Sequence, residues 1–270
     1  MSATLSVSIV SYGREFDVLV ETLRTLGAAI QYAKAARSLG ETRVHLVDNG
    51  PGSNNAGPLR ALEPGLGCEV ISGHGNVGYG RGHNLALRSS NAEFHLVLNP
   101  DVTLAPEAID EALRYMAANP RVAILAPLAL DQSGVPLYLC KRYPSVLDLV
   151  LRGFAPRVVK RLFRSRLEHY EMRDLPPDRP STGIPIVSGS FMFCRRLPVA
   201  EIGGFSDAFF LYFEDFDLSL RAAARGELAW VPSVQIVHRG GYAARKGWRH
   251  VALFARSAIA FFNRHGWKWA

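Results

Sequence analysis

Cysteine is scarce: the 270 residues hold three, Cys68, Cys140 and Cys194, far apart in the sequence and without a Cys-x-x-Cys pair. An odd, scattered set excludes a disulfide framework and a cysteine-ligated metal or redox centre, and it predicts a reducing compartment. Long apolar runs are missing too, since no uninterrupted stretch approaches the ~20 residues that cross a bilayer. Residues 1–10 lack the basic-then-apolar order of a secretory signal. The expectation is a cytoplasmic protein, with room for attachment at the inner face of the cell membrane. Acid is the scarcer charge, 24 Asp and Glu against 31 Lys and Arg, for a net +7. That balance favours anionic partners but does not separate nucleic acid from nucleotide phosphates or an anionic lipid surface. Low-complexity tracts, internal repeats and zinc, RRM, KH or helix-turn-helix signatures are absent, so nucleic acid is not the expected partner.

What is present is an alternation of strand-like and helix-like segments in a chain that is 48% hydrophobic, enough to bury a large core. Residues 5–10 read as a strand, and Val18, Leu19, Leu23, Leu26 and Ile30 mark the apolar side of the helix behind it. Residues 44–47, 68–72 and 94–98 read as further strands, with a short helix at 58–62 and longer ones at 84–90 and 106–118. A strand follows at 122–125, and no regular period is visible over 131–185. Beyond it, 186–194, 228–231 and 235–238 read as strands, and 217–225 and 248–263 as helices. This order predicts an α/β fold whose mostly parallel central sheet is covered by helices on both faces. Ligands of such sheets bind beyond the carboxyl ends of the strands, where residues 11–14, 48–49, 75–76 and 99–101 all fall.

Each of those loops has a chemical and a purely structural reading. Asp101, in Asn99-Pro-Asp101, could hold a divalent cation that bridges phosphate oxygens, or the tripeptide could be an Asx turn. Asp48 could accept hydrogen bonds from a base or ribose, or simply start a turn with Asn49. Ser11, Tyr12 and Arg14 could meet a base and a phosphate, or be solvated. Gly73-x-Gly75-x-x-Gly78 fits a dinucleotide fingerprint, but two strand-helix units precede it and no acid ends the following strand, which argues against a dehydrogenase. Its glycines still let a ligand approach the backbone closely. Glu214, Asp215 and Asp217 lie among aromatic residues at the start of a helix. There Asp217 reads as a helix cap, and Asp215, with Glu214 as its rival, as a general base. His238 reads either as a metal ligand or as an ordinary hydrogen-bonded histidine.

Taken together, Val7-Ser-Ile-Val-Ser-Tyr12, Val47-Asp-Asn49, Asn76-Val-Gly-Tyr-Gly-Arg-Gly-His-Asn84, Leu98-Asn-Pro-Asp-Val102, Ser188-Gly-Ser190, Gly203-Gly-Phe205, Tyr212-Phe-Glu-Asp-Phe-Asp-Leu218 and Val237-His238 resemble family 2 glycosyltransferases, especially the rhamnosyltransferase-like branch of bacterial surface-polysaccharide synthesis. The resemblance implies a GT-A fold over residues 1–240, with a nucleotide-sugar-binding half at 1–102, an acceptor-binding half at 103–240 and a packed helical segment at 241–270. It implies a nucleoside-diphosphate-sugar donor held by Ser11, Tyr12, Arg14, Asp48, Asn49, Gly75, Asn76, Gly78, Arg81, Asn84 and Asn99. It further implies Mg²⁺ or Mn²⁺ on Asp101 and His238, Asp215 as the base of an inverting displacement, and Ser188, Gly189 and Ser190 as the floor of the acceptor side. The family's metal motif is commonly Asp-x-Asp, whereas Asn99 here brings no charge. By resemblance alone the first donor to test is deoxythymidine-diphosphate rhamnose, and the acceptor is a glycan or a lipid-diphosphate-linked sugar. The rival readings are a nucleotide-binding scaffold without turnover, a sugar nucleotidyltransferase and a basic nucleic-acid-binding module.

Two basic stretches stand apart. Residues 152–166 carry Arg152, Arg157, Lys160, Arg161, Arg164 and Arg166 with no acid among them, interleaved with apolar side chains. They could lie on an anionic membrane or be a solvated helix face. The 248–263 helix, with Trp248, Trp267 and Trp269 around it, could meet the same interface or pack on the core.

Overall fold

The computed structural model of the chain describes residues 2–13, 16–50, 66–240 and 247–270; the 58–62 helix expected from the sequence lies outside them. Six consecutive residues from Leu5 are buried in β1 (Ala3–Ser11), the mark of a strand covered on both faces. It pairs in parallel with β2 (Leu39–Asp48), which carries the short parallel β3 (Glu69–Ile71) on its far side, and with β4 (Phe94–Leu98). On one face Leu5, Val7 and Ile9 pack with Leu19, Leu23, Leu26 and Ile30 of helix Phe16–Ala35. On the other, Val10 and Val47 meet Ala86 of helix Tyr79–Ser89. That second helix is pinned by His83, whose Nδ1 lies 2.6 Å from Ser8 Oγ of β1. Burial drives the His83 pKa well down, so the ring is a neutral anchor.

Beyond β4 the sheet becomes mixed. β5 (Val102–Leu104) leaves the parallel set, β6 (Val122–Leu130) and the two-residue strands β7 (Pro136–Leu137), β8 (Cys140–Lys141), β9 (Ser181–Thr182) and β10 (Ile186–Val187) follow, and then come β11 (Phe191–Arg195) and β12 (Glu227–His238). The main order is β3-β2-β1-β4-β11-β6-β12-β5, so both halves of the chain share one sheet. β11 is antiparallel to both β4 and β6, and β12 is parallel to β6 but antiparallel to β5. Two consequences fix the site. Phe191 pairs with Leu98, so residues just before 191 meet residues just after 98. His238 pairs with Val102, beside Asp101.

Differences from the sequence reading have local causes. Helix Tyr79–Ser89 starts five residues before the expected 84, because Gly80 and Gly82 serve close packing rather than a loop: a Cβ would come within 2.7 Å of Phe205 and 2.9 Å of Val10 respectively. The expected 186–194 strand is split into β10 and β11 by Ser188-Gly189-Ser190. The 228–231 and 235–238 strands are one strand, irregular between Val231 and Gln235, where Pro232 has no N–H to give. The 131–185 region holds three short helices, Val146–Phe154, Arg157–Leu162 and Arg164–Tyr170. Pro156 separates the first two, so the basic stretch is not one helix face.

Asp217 is not a helix cap. Phe213 holds the N-cap of helix Glu214–Ala222, and Asp217 lies fully buried one turn in. Its carboxylate accepts from Arg221 Nε at 2.7 Å and stands 2.9 Å from His265 Nε2 and 3.4 Å from Arg264 Nε. It thus ties the acidic helix to helix Gly247–His265. Phe261 and Phe262 of that helix pack with Phe209, Phe213 and Leu149, so the far end of its apolar stripe is core while Val251 at the near end is exposed. Asp217→Asn removes the charge that Arg221 and Arg264 face and should cost roughly 3–5 kcal/mol. Urea denaturation should show a lower midpoint with an unchanged slope.

Candidate active site

The donor edge is built by strand ends. Ser11 pairs with Asp48 at the ends of β1 and β2. Asp48 is buried; its Oδ1 accepts from Gly50 N–H at 2.9 Å, and its Oδ2 has no partner among the described residues. The turn reading thus accounts for Oδ1 and leaves Oδ2 without a protein partner among them. Asn49 is buried as well and donates from Nδ2 to Gly78 O at 2.9 Å, which fastens this loop to the glycine-rich one. Gly78 has φ 93, and a Cβ there would lie 2.5 Å from Phe210 O. Gly75 has φ 66 with open space around it, and exposed Asn76 accepts from Gly78 N–H at 3.0 Å. Tyr12 is exposed on the first loop, and Arg14 lies outside the described residues.

Two expected donor contacts have other partners. Asn84 is buried, donating to Phe205 O at 2.7 Å and accepting from Phe205 N–H at 2.9 Å. It clamps the Gly203-Gly204-Phe205 turn. Arg81 donates to Asp207 O at 2.6 Å and faces the Asp207 carboxylate at 3.4 Å.

Asp101 Oδ1 and His238 Nε2 stand 3.2 Å apart, yet Oδ1 makes no hydrogen bond of ordinary geometry and is buried. The residue that leaves room beside them is Gly240: a Cβ there would come within 2.2 Å of Asp101 Oδ2 and 2.8 Å of His238 Nε2. Two ligands at right angles on one octahedral cation, each about 2.1 Å from it, are about 3 Å apart, so the pair fits Mg²⁺ or Mn²⁺. No group of three metal-ligating side chains stands together among the described residues. A two-ligand arrangement suits a cation that keeps its waters and takes the rest of its oxygens from a substrate diphosphate.

The acids stand, like Asp101, close enough to Tyr79 for their charge to be felt there. Tyr212 and Phe213 both have positive φ, 70 and 64, a strained approach to helix Glu214–Ala222. Asp215 accepts from Gly189 N–H at 2.8 Å and from Phe216 N–H at 2.9 Å. Glu214 is buried with Oε2 unpartnered among the described residues. Burial, and then the neighbouring Asp215 charge, push Glu214 up to about 8. Burial raises Asp215 too, but the Gly189 and Phe216 N–H groups and the Arg152 charge hold it back. Asp215 is therefore the member of the pair that ionises first.

Sequence reasoning missed Tyr79. Its hydroxyl lies 2.6 Å from Gly189 O and 2.8 Å from Asn99 Oδ1. Burial and the charges of Glu214, Asp215 and Asp101 push its pKa well up, so it stays a proton donor. Asn99 also donates its own N–H to Ser190 O at 2.9 Å. A Cβ on Gly189 would be 3.3 Å from both Asp215 Cβ and Tyr79 Cε1. Tyr79 and Ser188-Gly189-Ser190 thus join the Asp101 side to the Asp215 side. The signal was a tyrosine between the glycines that open a helix.

The profile of Glycosyl transferase family 2 matches residues 6–203. The chain belongs to this family. Among curated relatives, the N-acetylglucosaminyl-diphospho-decaprenol L-rhamnosyltransferase of Mycobacterium tuberculosis (strain CDC 1551 / Oshkosh) is 29% identical over 245 residues, 83% of this chain and 76% of that one. The crystal structure of S. aureus TarS 1–349 in complex with UDP matches with a TM-score of 0.57 at 15% identity, over 97% of this chain and 66% of that one. The crystal structure of GalNAc-T7 with UDP, GalNAc and Mn²⁺ matches with a TM-score of 0.60 at 16% identity, over 88% of this chain and 43% of that one. The fold is GT-A, as the sequence motifs implied. The family match covers Asp48, Asn99 and Asp101 but ends before Asp215 and His238, which rest on the geometry above.

In a glycosyltransferase the attacking hydroxyl must lose its proton, so transfer should rise with pH as the Glu214–Asp215 pair ionises. Asp215→Asn should lower kcat by roughly 100- to 10,000-fold. Glu214→Gln replaces a group that is neutral while Asp215 ionises, so the acid limb of the kcat/KM profile should stay in place with transfer retained. Full activity in Asp215→Asn would remove Asp215 as base.

Proposed function

We propose that this family 2 glycosyltransferase moves a sugar, rhamnose first among those to test, from a nucleoside-diphosphate donor to a hydroxyl of a glycan or lipid-diphosphate-linked acceptor, with inversion and with Mg²⁺ or Mn²⁺. The observation that carries this is the pairing of an open Asp101–His238 couple with a carboxylate at Asp215 across a bridge made by Tyr79 and Gly189. The free Asp48 Oδ2 accepts a hydrogen bond from the donor's nucleoside. Asp101 and His238 would hold the cation, whose charge would offset that of the departing diphosphate. Asp215 takes the acceptor's proton, while buried Glu214 stays neutral at pH 7 and keeps the pair from carrying two charges. Ser188, Gly189 and Ser190 line the acceptor side. Residues 1–102 serve as the donor half and 103–240 as the acceptor half, with His238 reaching back to complete the cation site.

The name of the mycobacterial relative supports rhamnose and a lipid-diphosphate acceptor, and Mn²⁺ in the GalNAc-T7 crystal supports the cation. Asn99 motivated a scaffold reading because it lacks charge, but its oxygen faces the Tyr79 hydroxyl, a structural job that needs none. No helix among the described residues is long and apolar enough to cross a membrane. The proposed location is the cytoplasm, at the inner face of the cell membrane.

Calorimetry with UDP, dTDP and GDP, each with and without Mn²⁺, tests the donor side. One nucleotide should bind, and Mn²⁺ should tighten it. Asp101→Ala should lose that gain; binding of none of the three would contradict the reading.

A further inference from the structure

One surface lies outside the cleft and has no role in the chemistry above. No residue of helix Arg157–Leu162 is buried. Val158 is 73% and Leu162 79% exposed, and Phe154 and Phe163 at the two ends are 57% and 41% exposed. Singly exposed apolar residues are ordinary, but four within ten positions are not. Among them stand Arg157, Lys160 and Arg161, which form no ion pair among the described residues, whereas the flanking cations are neutralised: Arg152 by Glu171, Arg164 by Glu168 and Arg166 by Asp148. Free positive charge is thus concentrated where the apolar side chains protrude.

A second exposed apolar group docks at the far end of the helix that leads to this surface. The carbonyls of Lys268 and Trp269 accept from Val146 and Leu147 N–H at 2.8 and 3.1 Å, satisfying the first turn of helix Val146–Phe154. That docking holds Trp267 and Trp269, stacked 5.0 Å apart and both exposed, against the helix whose other end carries Phe154. Indole rings, with an apolar body and a polar N–H, suit the boundary between lipid and water.

We infer that Phe154, Val158, Leu162 and Phe163, with Arg157, Lys160 and Arg161 and flanked by Trp267 and Trp269, seat the enzyme on an anionic lipid surface. The inference deepens the proposed lipid-linked acceptor: a sugar anchored in a bilayer must be met at that bilayer. The seat is also near the chemistry, since Arg152, on the helix that ends at Phe154, sits close enough to Asp215 for its charge to be felt there. A second copy of this chain fits the surface poorly, because a two-fold contact would set unpaired cations against their own kind. Anionic headgroups meet the cations while the four apolar side chains enter the acyl boundary.

The test is co-sedimentation of the full chain with vesicles of phosphatidylcholine alone or doped with phosphatidylglycerol. Binding to the doped vesicles, released by high salt, is expected. The triple variant Arg157→Gln, Lys160→Gln, Arg161→Gln should weaken it on the order of 100-fold, at about fivefold per cation. Val158→Asp with Leu162→Asp should abolish it; these positions are exposed, so the fold is unaffected. Equal binding to both vesicle types, or doped-vesicle binding that neither variant changes, overturns the inference. So does a dimer in analytical ultracentrifugation, without vesicles, that Leu162→Asp dissolves. Calorimetric nucleotide binding, unchanged in the variants, keeps this test separate from that of the transferase reading.

Discussion

Because β11 runs antiparallel to β4, Phe191 pairs with Leu98, and Ser188-Gly189-Ser190 is delivered beside Asn99. Nearly every feature of the cleft depends on that register. Gly189 N–H reaches Asp215, Gly189 O meets the Tyr79 hydroxyl, and Ser190 O meets Asn99 N–H. A shift of one residue would set other backbone groups beside Asn99, Tyr79 and Asp215. The same logic places His238, since β12 runs antiparallel to β5 and ends beside Asp101. A cleft assembled from residues more than a hundred positions apart is thus a consequence of two strand pairings.

The electrostatics divide the cleft into two jobs. At Asp101 a buried carboxylate oxygen lacks an ordinary partner and Gly240 leaves space beside it and His238, a state that a cation would relieve. At Glu214 and Asp215 two acids share a buried place, and backbone N–H groups favour the charge on Asp215. The strained residues Tyr212 and Phe213 are the conformational cost of presenting both acids at a helix start. Asp217, which follows two residues later in the same acidic run, has the opposite character: every contact it makes holds the helix in place.

What the sequence made legible was whatever hydrophobic periodicity and strand-end position encode. Continuous apolar runs located β1, the second half of β2 and β4, and the polar residues at the ends of β2 and β4 located Asp48 and Asp101. Gly80 and Gly82 read as loop because a glycine's local preference hides its use in close helix packing, and this concealed Tyr79 at the helix start. Asn84 read as a donor contact because its motif carries no sign of Phe205, which lies 121 residues away in the sequence. The mixed second half of the sheet was equally hidden, since strand direction follows from how the 131–185 region crosses over, and that region has no regular period.

The central claim is that a carboxylate at Asp215 activates the acceptor opposite a diphosphate held at Asp101 and His238. Opposed groups require a single in-line displacement at the anomeric carbon. The most direct measurement is the anomeric configuration of the first-formed product by NMR, with the nucleotide-sugar donor selected by calorimetry and a soluble sugar-diphosphate-lipid analogue as acceptor. Inversion relative to the donor is the predicted result; retention of configuration would contradict it.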